Sequence, residues 1–297
     1  MKTILITGAS GLLGYNLIND FLKHQRFYNY KIYGTYFNNP IYSEKCIGLK
    51  LDLRNGSDVK KIIEEVKPEV IIHCAAMTDV DRCEKERDEC YNTNVTSTIN
   101  LCNYKPHKAK LIYISTDAVY EGKTGNYSEN SETQPVNYYG RTKLEAEKIV
   151  MQLENYTILR VNIFGTSPAK KLSLAEWFIK KLRNKEKLNG FSDIYFNPIL
   201  VNNLSEIIIE TIERDIIGLY NVGSPNTMSK YDFGLKIAEI FNFDKDLINK
   251  SLSKDINFIA ERPKNSTMNI SKVREKYNTK LQTIEEGLIT MKRIKIE

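Results

Sequence analysis

Tyr139 and Lys143 stand four apart in Asn137-Tyr138-Tyr139-Gly140-Arg141-Thr142-Lys143-Leu144. On a helix that spacing stacks the two side chains one turn apart on a single face. A nearby ammonium would draw the phenol down from its ordinary value of ~10 towards neutral pH, so that Tyr139 could give and take a proton. Earlier in the chain, Ile114-Ser115-Thr116-Asp117-Ala118-Val119-Tyr120 closes an apolar run. A hydroxyl at the carboxyl end of such a strand, Thr116, can donate a hydrogen bond to a substrate carbonyl. Alone, the Tyr-x-x-x-Lys pair also fits an exposed helix pair, and Thr116 fits a cap. Together and in order, the three are a proton-delivery set for carbonyl chemistry.

A third feature precedes them. The run Ile4-Leu5-Ile6-Thr7-Gly8-Ala9-Ser10-Gly11-Leu12-Leu13-Gly14 takes a short apolar strand into a turn with glycines three apart, followed by an amphipathic helix. Gly8 and Gly11 let the backbone turn tightly and approach a ligand. The following helix aims its free N–H groups and positive dipole end at the turn, which suits a pyrophosphate. The spacing is one residue longer at the front than the G-x-G-x-x-G dinucleotide fingerprint. The expected cofactor cradle is therefore Gly8, Ser10, Gly11, Leu12, Leu13 and Gly14. Two further strand ends join it. Asp52, with Leu53 beside it, could accept from an adenine amine, or else cap the next helix. In Cys74-Ala75-Ala76-Met77-Thr78 small residues would let a flat ligand slide past the backbone, and tight packing is the other reading of the alanines.

These residues need a frame. Strands are expected at 3–7, 31–36, 47–51, 69–74, 110–115 and 156–161, with helices at 12–24, 57–66, 88–104 and 141–154. That alternation argues for right-handed βαβ units and a parallel sheet covered on both faces. After about residue 165 helices are expected at 172–184, 203–213, 230–241 and 283–293, with short strands near 195 and at 219–222. The fold class is thus α/β: a doubly wound parallel sheet in residues 1–165, and a smaller α/β lobe in 166–297 interleaved with it. In such sheets ligands bind beyond the carboxyl ends of the strands.

Composition narrows the partners. The 297 residues suffice for a full core. No apolar run approaches the ~20 residues of a membrane span, and Lys2 is followed by too few apolar residues for a signal peptide. The five cysteines are scattered without a C-x-x-C pair, as expected of reduced thiols in a cytoplasm. The net charge of +6 is spread out; Lys180, Lys181, Arg183, Lys185 and Lys187 alternate with apolar residues as a solvated helix face does. An anionic small substrate fits this balance better than nucleic acid. His24, His73 and His107 lack metal-ligand spacing, and no metal site is expected.

The glycine turn, the Ser-Thr strand end and the Tyr-x-x-x-Lys pair together resemble the extended short-chain dehydrogenase/reductase superfamily. Within it the chain is similar to the dTDP-4-dehydrorhamnose reductase family. Four stretches carry this: His73 to Glu84, close to A-A-x-T-x-V-D-x-x-E; Ser115-Thr116-Asp117-x-Val119-Tyr120; Tyr139-Gly140-x-Thr142-Lys143-Leu144-x-x-Glu147; and Arg262-Pro263-x-x-Ser266. The resemblance implies a Rossmann-type domain, an NADPH or NADH cofactor, and a nucleotide-sugar pocket in the C-terminal lobe. It implies that Tyr139 protonates the alkoxide formed at a sugar ketone. Lys143 would hold the nicotinamide ribose and tune Tyr139, and Thr116 would bond the same oxygen. Asn94 falls where relatives carry an asparagine supporting the active-site helix, and also fits a buried structural amide. Thr78, Val80 and Asp117 would face the substrate, with Trp177 either pocket wall or core.

Two departures fall in the sugar-facing region. The family's R-T-x-W stretch is Arg160-Val161-Asn162-Ile163-Phe164-Gly165 here, and its D-Q-x-G-x-P is Asp193-Ile194-Tyr195-Phe196-Asn197-Pro198. The second strand ends Gly34-Thr35-Tyr36-Phe37-Asn38-Asn39 without an acid to exclude a ribose phosphate, which leans towards NADPH, although no arginine stands in that stretch. The competing readings are an epimerase or dehydratase of the same superfamily, disfavoured by Ala118 where dehydratases carry an acid, and a non-catalytic regulatory subunit like that of a methionine adenosyltransferase. A homodimer through the helices at 88–104 and 141–154 is expected by analogy alone.

Overall fold

Strands buried on both faces read as unbroken apolar runs rather than alternating ones, and Ile4, Leu5, Ile6, Ile71 and Ile72 are all fully buried. In the computed structural model, which describes residues 2–294 apart from 28, 42, 45 and 170, these runs are the middle of a parallel sheet. The first half runs β1 (Lys2–Thr7), α1 (Leu12–Lys23), β2 (Tyr30–Tyr36), β3 (Cys46–Lys50), α2 (Gly56–Val66), β4 (Val70–His73), α3 (Val80–Lys85), α4 (Arg87–Tyr91), α5 (Ser97–Tyr104), β5 (Lys110–Thr116), α6 (Tyr138–Val150) and β6 (Tyr156–Val161). The second half holds β7 (Ile163–Phe164), α7 (Leu174–Arg183), β8 (Leu188–Phe191), β9 (Tyr195–Phe196), β10 (Ile199–Leu200), α8 (Val201–Glu213), β11 (Gly218–Val222), β12 (Met228–Ser229), α9 (Lys230–Phe241), β13 (Ile248–Ser251), α10 (Ser271–Lys276) and α11 (Ile284–Ile294).

The large sheet has seven strands in the order β11-β6-β5-β4-β1-β2-β3. Every pairing in it is parallel, with Ile4 opposite both Ile32 and Val70. The order reverses beside β1, so the glycine turn lies at the crevice where such sheets bind ligands. One face packs on α1 and α8 through Leu17, Phe21, Leu204 and Ile208. The other packs on α2, α5 and α6 through Val59, Leu101 and Val150. β11 brings the second half of the chain into the sheet, while Phe164, Phe178, Phe233, Ile237 and Leu288 make a separate core for the smaller lobe. Phe233 meets Phe164, Phe178 and Phe196 edge-on, so truncating it to alanine would cost about 3–5 kcal/mol. No helix of the described residues is long and apolar enough to cross a membrane.

Three local departures bear on the site. The helix expected at 88–104 is present but irregular: α4 runs through a π-helical turn at Asn92–Thr96 into α5 without leaving helical backbone, and Asn94 is buried there. The helix expected at 141–154 begins at Tyr138, because the Asn137 side chain accepts from Gly140 N at 2.9 Å, and it ends at Val150. That early start puts Tyr139 on the first turn. Finally, α3, α10 and the β8–β13 pair were not foreseen as elements; the two helices have only six residues each, too short to show a hydrophobic period.

Candidate active site

At the end of β1 the chain turns through Gly8, whose φ of +63° favours glycine. A Cβ on Gly8 would lie 2.7 Å from Ala75 Cα, so the turn and the end of β4 pack backbone against backbone. Gly11 caps α1 with no side-chain bond, leaving first-turn N–H groups free for an anion. Between the turn and the ends of β2, β3 and β4 lies a cleft of about 420 Å³. Gly8, Ser10, Gly11, Leu53, Cys74, Ala75 and Ala76 line it as expected. This glycine-floored cleft, opening on a free helix N-terminus, fits a dinucleotide.

Leu12, Leu13 and Gly14, also expected in the cradle, offer it the first-turn N–H groups of α1, while their side-chain positions are taken up by packing. Leu13 is buried in the core, and Leu12 packs against it. Gly14 is needed by packing, since a Cβ there would meet Ala9 Cα at 2.5 Å. Asp52 does not cap α2; Asn55 does, accepting from Ser57 N and Asp58 N. The Asp52 carboxylate instead accepts from Arg54 at 2.8 Å (Nε) and 2.7 Å (Nη2), which holds its pKa below the usual range. Asn94 is fully buried and touches no cleft: it accepts from Met77 N (2.8 Å) and donates to Met77 O (3.2 Å) and Thr142 Oγ1 (3.0 Å). It is a strut between the β4 loop and α6. Beyond β3, Arg54 also lines the cleft and lies 4.9 Å over the Phe37 ring.

α6 presents Tyr139 and Lys143 to the end of β5. Burial, the largest influence, pushes the Tyr139 phenol up, and the Thr116 hydroxyl partly counters it. This reverses the expected depression by Lys143, whose ammonium donates to Ile114 O at 2.7 Å and lies 4.1 Å over the Tyr113 ring. Burial lowers Lys143 itself to about 7. A phenol held protonated is a proton donor, and the neutral or charged state of Lys143 is poised at physiological pH. Behind the pair, Glu147 accepts from Ser115 Oγ (2.5 Å) and from Arg160 (2.7 Å), pinning α6 to β5 and β6.

The substrate side is arranged around Asp117. Its buried carboxylate accepts from Thr116 Oγ1 (3.0 Å), Asn162 Nδ2 (2.7 Å) and Ser266 Oγ (2.6 Å), and burial raises its pKa despite these bonds. Asp117 is therefore a hub that joins β5 to the lobe. Thr78 is exposed and accepts from Lys171 Nζ at 2.6 Å, and Val80 opens α3. Trp177 lies in a second cavity of about 450 Å³, shared with Phe178, Phe191, Phe258, Lys181, Lys187 and Lys230. Sequence reasoning missed Lys230, which faces both Asp117 and Arg262; burial lowers it to about 8. Arg262 lies 4.8 Å over Phe258, and its Nη1 is buried without a hydrogen-bond partner among the described residues. Such an orphan donor suits a ligand oxygen. Among the described residues no group of three His, Cys, Asp or Glu side chains is gathered as for a metal ion.

Comparison with known proteins places this geometry. The family model described as RmlD substrate binding domain matches residues 1–294. The "Probable low-salt glycan biosynthesis reductase Agl14" of Haloferax volcanii is 28% identical over 293 residues, covering 96% of each chain. The methionine adenosyltransferase 2 subunit beta of Danio rerio is 27% identical, over 92% of this chain and 84% of its own. A crystal structure of dTDP-4-dehydrorhamnose reductase from Bacillus anthracis in complex with NADP superposes with a TM-score of 0.85 at 28% identity, covering 99% of this chain and all of that one.

Proposed function

Because the chain belongs to the RmlD substrate binding domain family, we propose that it is an NADPH-dependent reductase of a nucleotide-activated 4-keto-6-deoxy sugar, with the dTDP-linked sugar the first candidate and NADH an alternative cofactor. The observation that carries this reading is the meeting of Thr116, Tyr139 and Lys143 beside a dinucleotide-shaped cleft. The chemistry that a bound reduced nicotinamide supplies is hydride donation to a ketone. Ser10, Gly11 and the α1 N-terminus hold the pyrophosphate, and Ala75 and Ala76 floor the cleft.

Tyr139 gives its phenolic proton to the alkoxide as it forms, worth ~10²–10⁴ in rate for a positioned acid. The raised pKa keeps the proton in place until oxyanion charge develops. Thr116, whose one hydroxyl proton rests on Asp117, turns that proton to the carbonyl oxygen when the substrate enters. In the lobe, Trp177 and Phe258 offer stacking faces for a base, while Lys230 meets the diphosphate, with the buried, unpartnered Nη1 of Arg262 behind it.

The test is oxidation of NADPH and NADH with dTDP-4-keto-6-deoxy-L-mannose beside UDP-, GDP- and CDP-linked keto-sugars. Oxidation with the dTDP sugar supports the full reading, and oxidation with another nucleotide moves the substrate but keeps the mechanism. Tight cofactor binding with no oxidation would overturn it and favour a non-catalytic subunit, the Danio rerio relative being named as the beta subunit of methionine adenosyltransferase 2.

A further inference from the structure

Arg54 is the most heavily restrained side chain in the cofactor cleft, yet the hydride and proton chemistry has no use for it. Its Nε and Nη2 form a fork onto Asp52 at 2.8 and 2.7 Å. That fork fixes the plane of the guanidinium, which lies over Phe37 with 4.9 Å from Cζ to the ring centroid. Phe37 is 46% exposed, a large apolar ring left open at the rim of the cleft. The remaining edge, Nη1, donates to both carboxylate oxygens of Glu89, at 2.7 and 2.8 Å. Glu89 reaches in from α4, and its side chain is 41% exposed, so it can swing into solvent. Thr35, Asn38 and Asn39, at and just beyond the end of β2, line the same end of the cleft with neutral polar groups.

We infer that the Nη1 edge of Arg54 is the reader of a ribose 2′-phosphate, and that Glu89 occupies that edge as a competing anion. This rests on the dinucleotide reading of the cleft. Asp52 and Phe37 hold the guanidinium ready, and a phosphate with up to two charges and three acceptor oxygens displaces a single solvated carboxylate. Selection for the phosphorylated cofactor then resides at the end of β3, not at the end of β2. Because Glu89 competes for the edge, and Arg82 on the same cleft adds a second positive charge beside Glu89, the selection is moderate and adjustable.

The experiment is fluorescence titration of the whole protein with NADPH and NADH, with competition by 2′,5′-ADP and 5′-AMP, in wild type, Arg54→Leu and Glu89→Gln. The ratio of NADPH to NADH dissociation constants should rise about tenfold or more in Arg54→Leu, the scale of a charge-assisted hydrogen bond. It should fall severalfold in Glu89→Gln, a rim substitution that keeps its shape, and 2′,5′-ADP should follow NADPH in both. An equal loss of both cofactors in Arg54→Leu would make Arg54 an adenine platform and overturn the inference, as would an unmoved ratio in Glu89→Gln. Wild type that binds neither cofactor would instead bring down the dinucleotide reading on which the inference stands.

Discussion

Asp81 on α3 and Arg262 near the end of the lobe are joined by an ion pair of 2.7 Å across 181 residues of chain. Asp81 also accepts from Ala260 N at 2.9 Å. Two of the four motifs that mark this chain are thus one latch, and a second is Ser266 on Asp117. The latch ties α3 to the chain that follows β13 and fixes the guanidinium of Arg262 between them.

Asp81→Asn should therefore raise KM for the nucleotide sugar severalfold with a smaller change in kcat. The pair is 20% and 33% exposed, so its loss should cost only about 1 kcal/mol of stability. Steady-state kinetics beside urea unfolding checks both; an unchanged KM would detach Arg262 from the substrate.

Glu147 and Arg160 are 0% and 3% exposed. Removing one partner strands a buried charge, so Glu147→Ala should cost about 3–5 kcal/mol, while Glu147→Leu combined with Arg160→Met should recover most of it. A double-mutant cycle by denaturant unfolding measures the coupling. Purely additive losses would show that the pair does not pin α6.

Lys143 gives a pH signature. Its folded pKa, about 7, lies below the ordinary 10.5, so between those values the unfolded chain binds more protons than the folded one. Stability then rises with pH through that window. Lys143→Met should be more stable than wild type near pH 7, and the difference should shrink towards pH 10. Melts across that range check it; a pH-independent difference would show that the buried amine does not titrate there. Lys230 contributes the same sign from about 8 and stays in both proteins.

The frame was legible because each central strand is an apolar run between turn residues, and the Tyr139–Lys143 spacing was legible because helices have a fixed period. What escaped depends on depth and on long-range partners. Spacing alone could not show that burial outweighs any ammonium at Tyr139, nor that Lys143 turns to Ile114. The π-helical turn at Asn92–Thr96 carries Asn94 to Met77, a contact made only in the folded chain. The end of β2 carries no arginine of its own, and only the fold brings Arg54 beside it from the segment after β3. At Leu13 and Gly14 the side-chain positions serve packing, which leaves only their backbone N–H groups to face the turn.

The most direct test of the account compares wild type with Tyr139→Phe, reading keto-sugar reduction and cofactor binding on the same preparations. Turnover should fall at least ~100-fold, the scale of a lost proton donor, while the cofactor dissociation constant moves little. Turnover retained in the variant would contradict the assignment of Tyr139 as the acid, and with it the reductase mechanism drawn from this site.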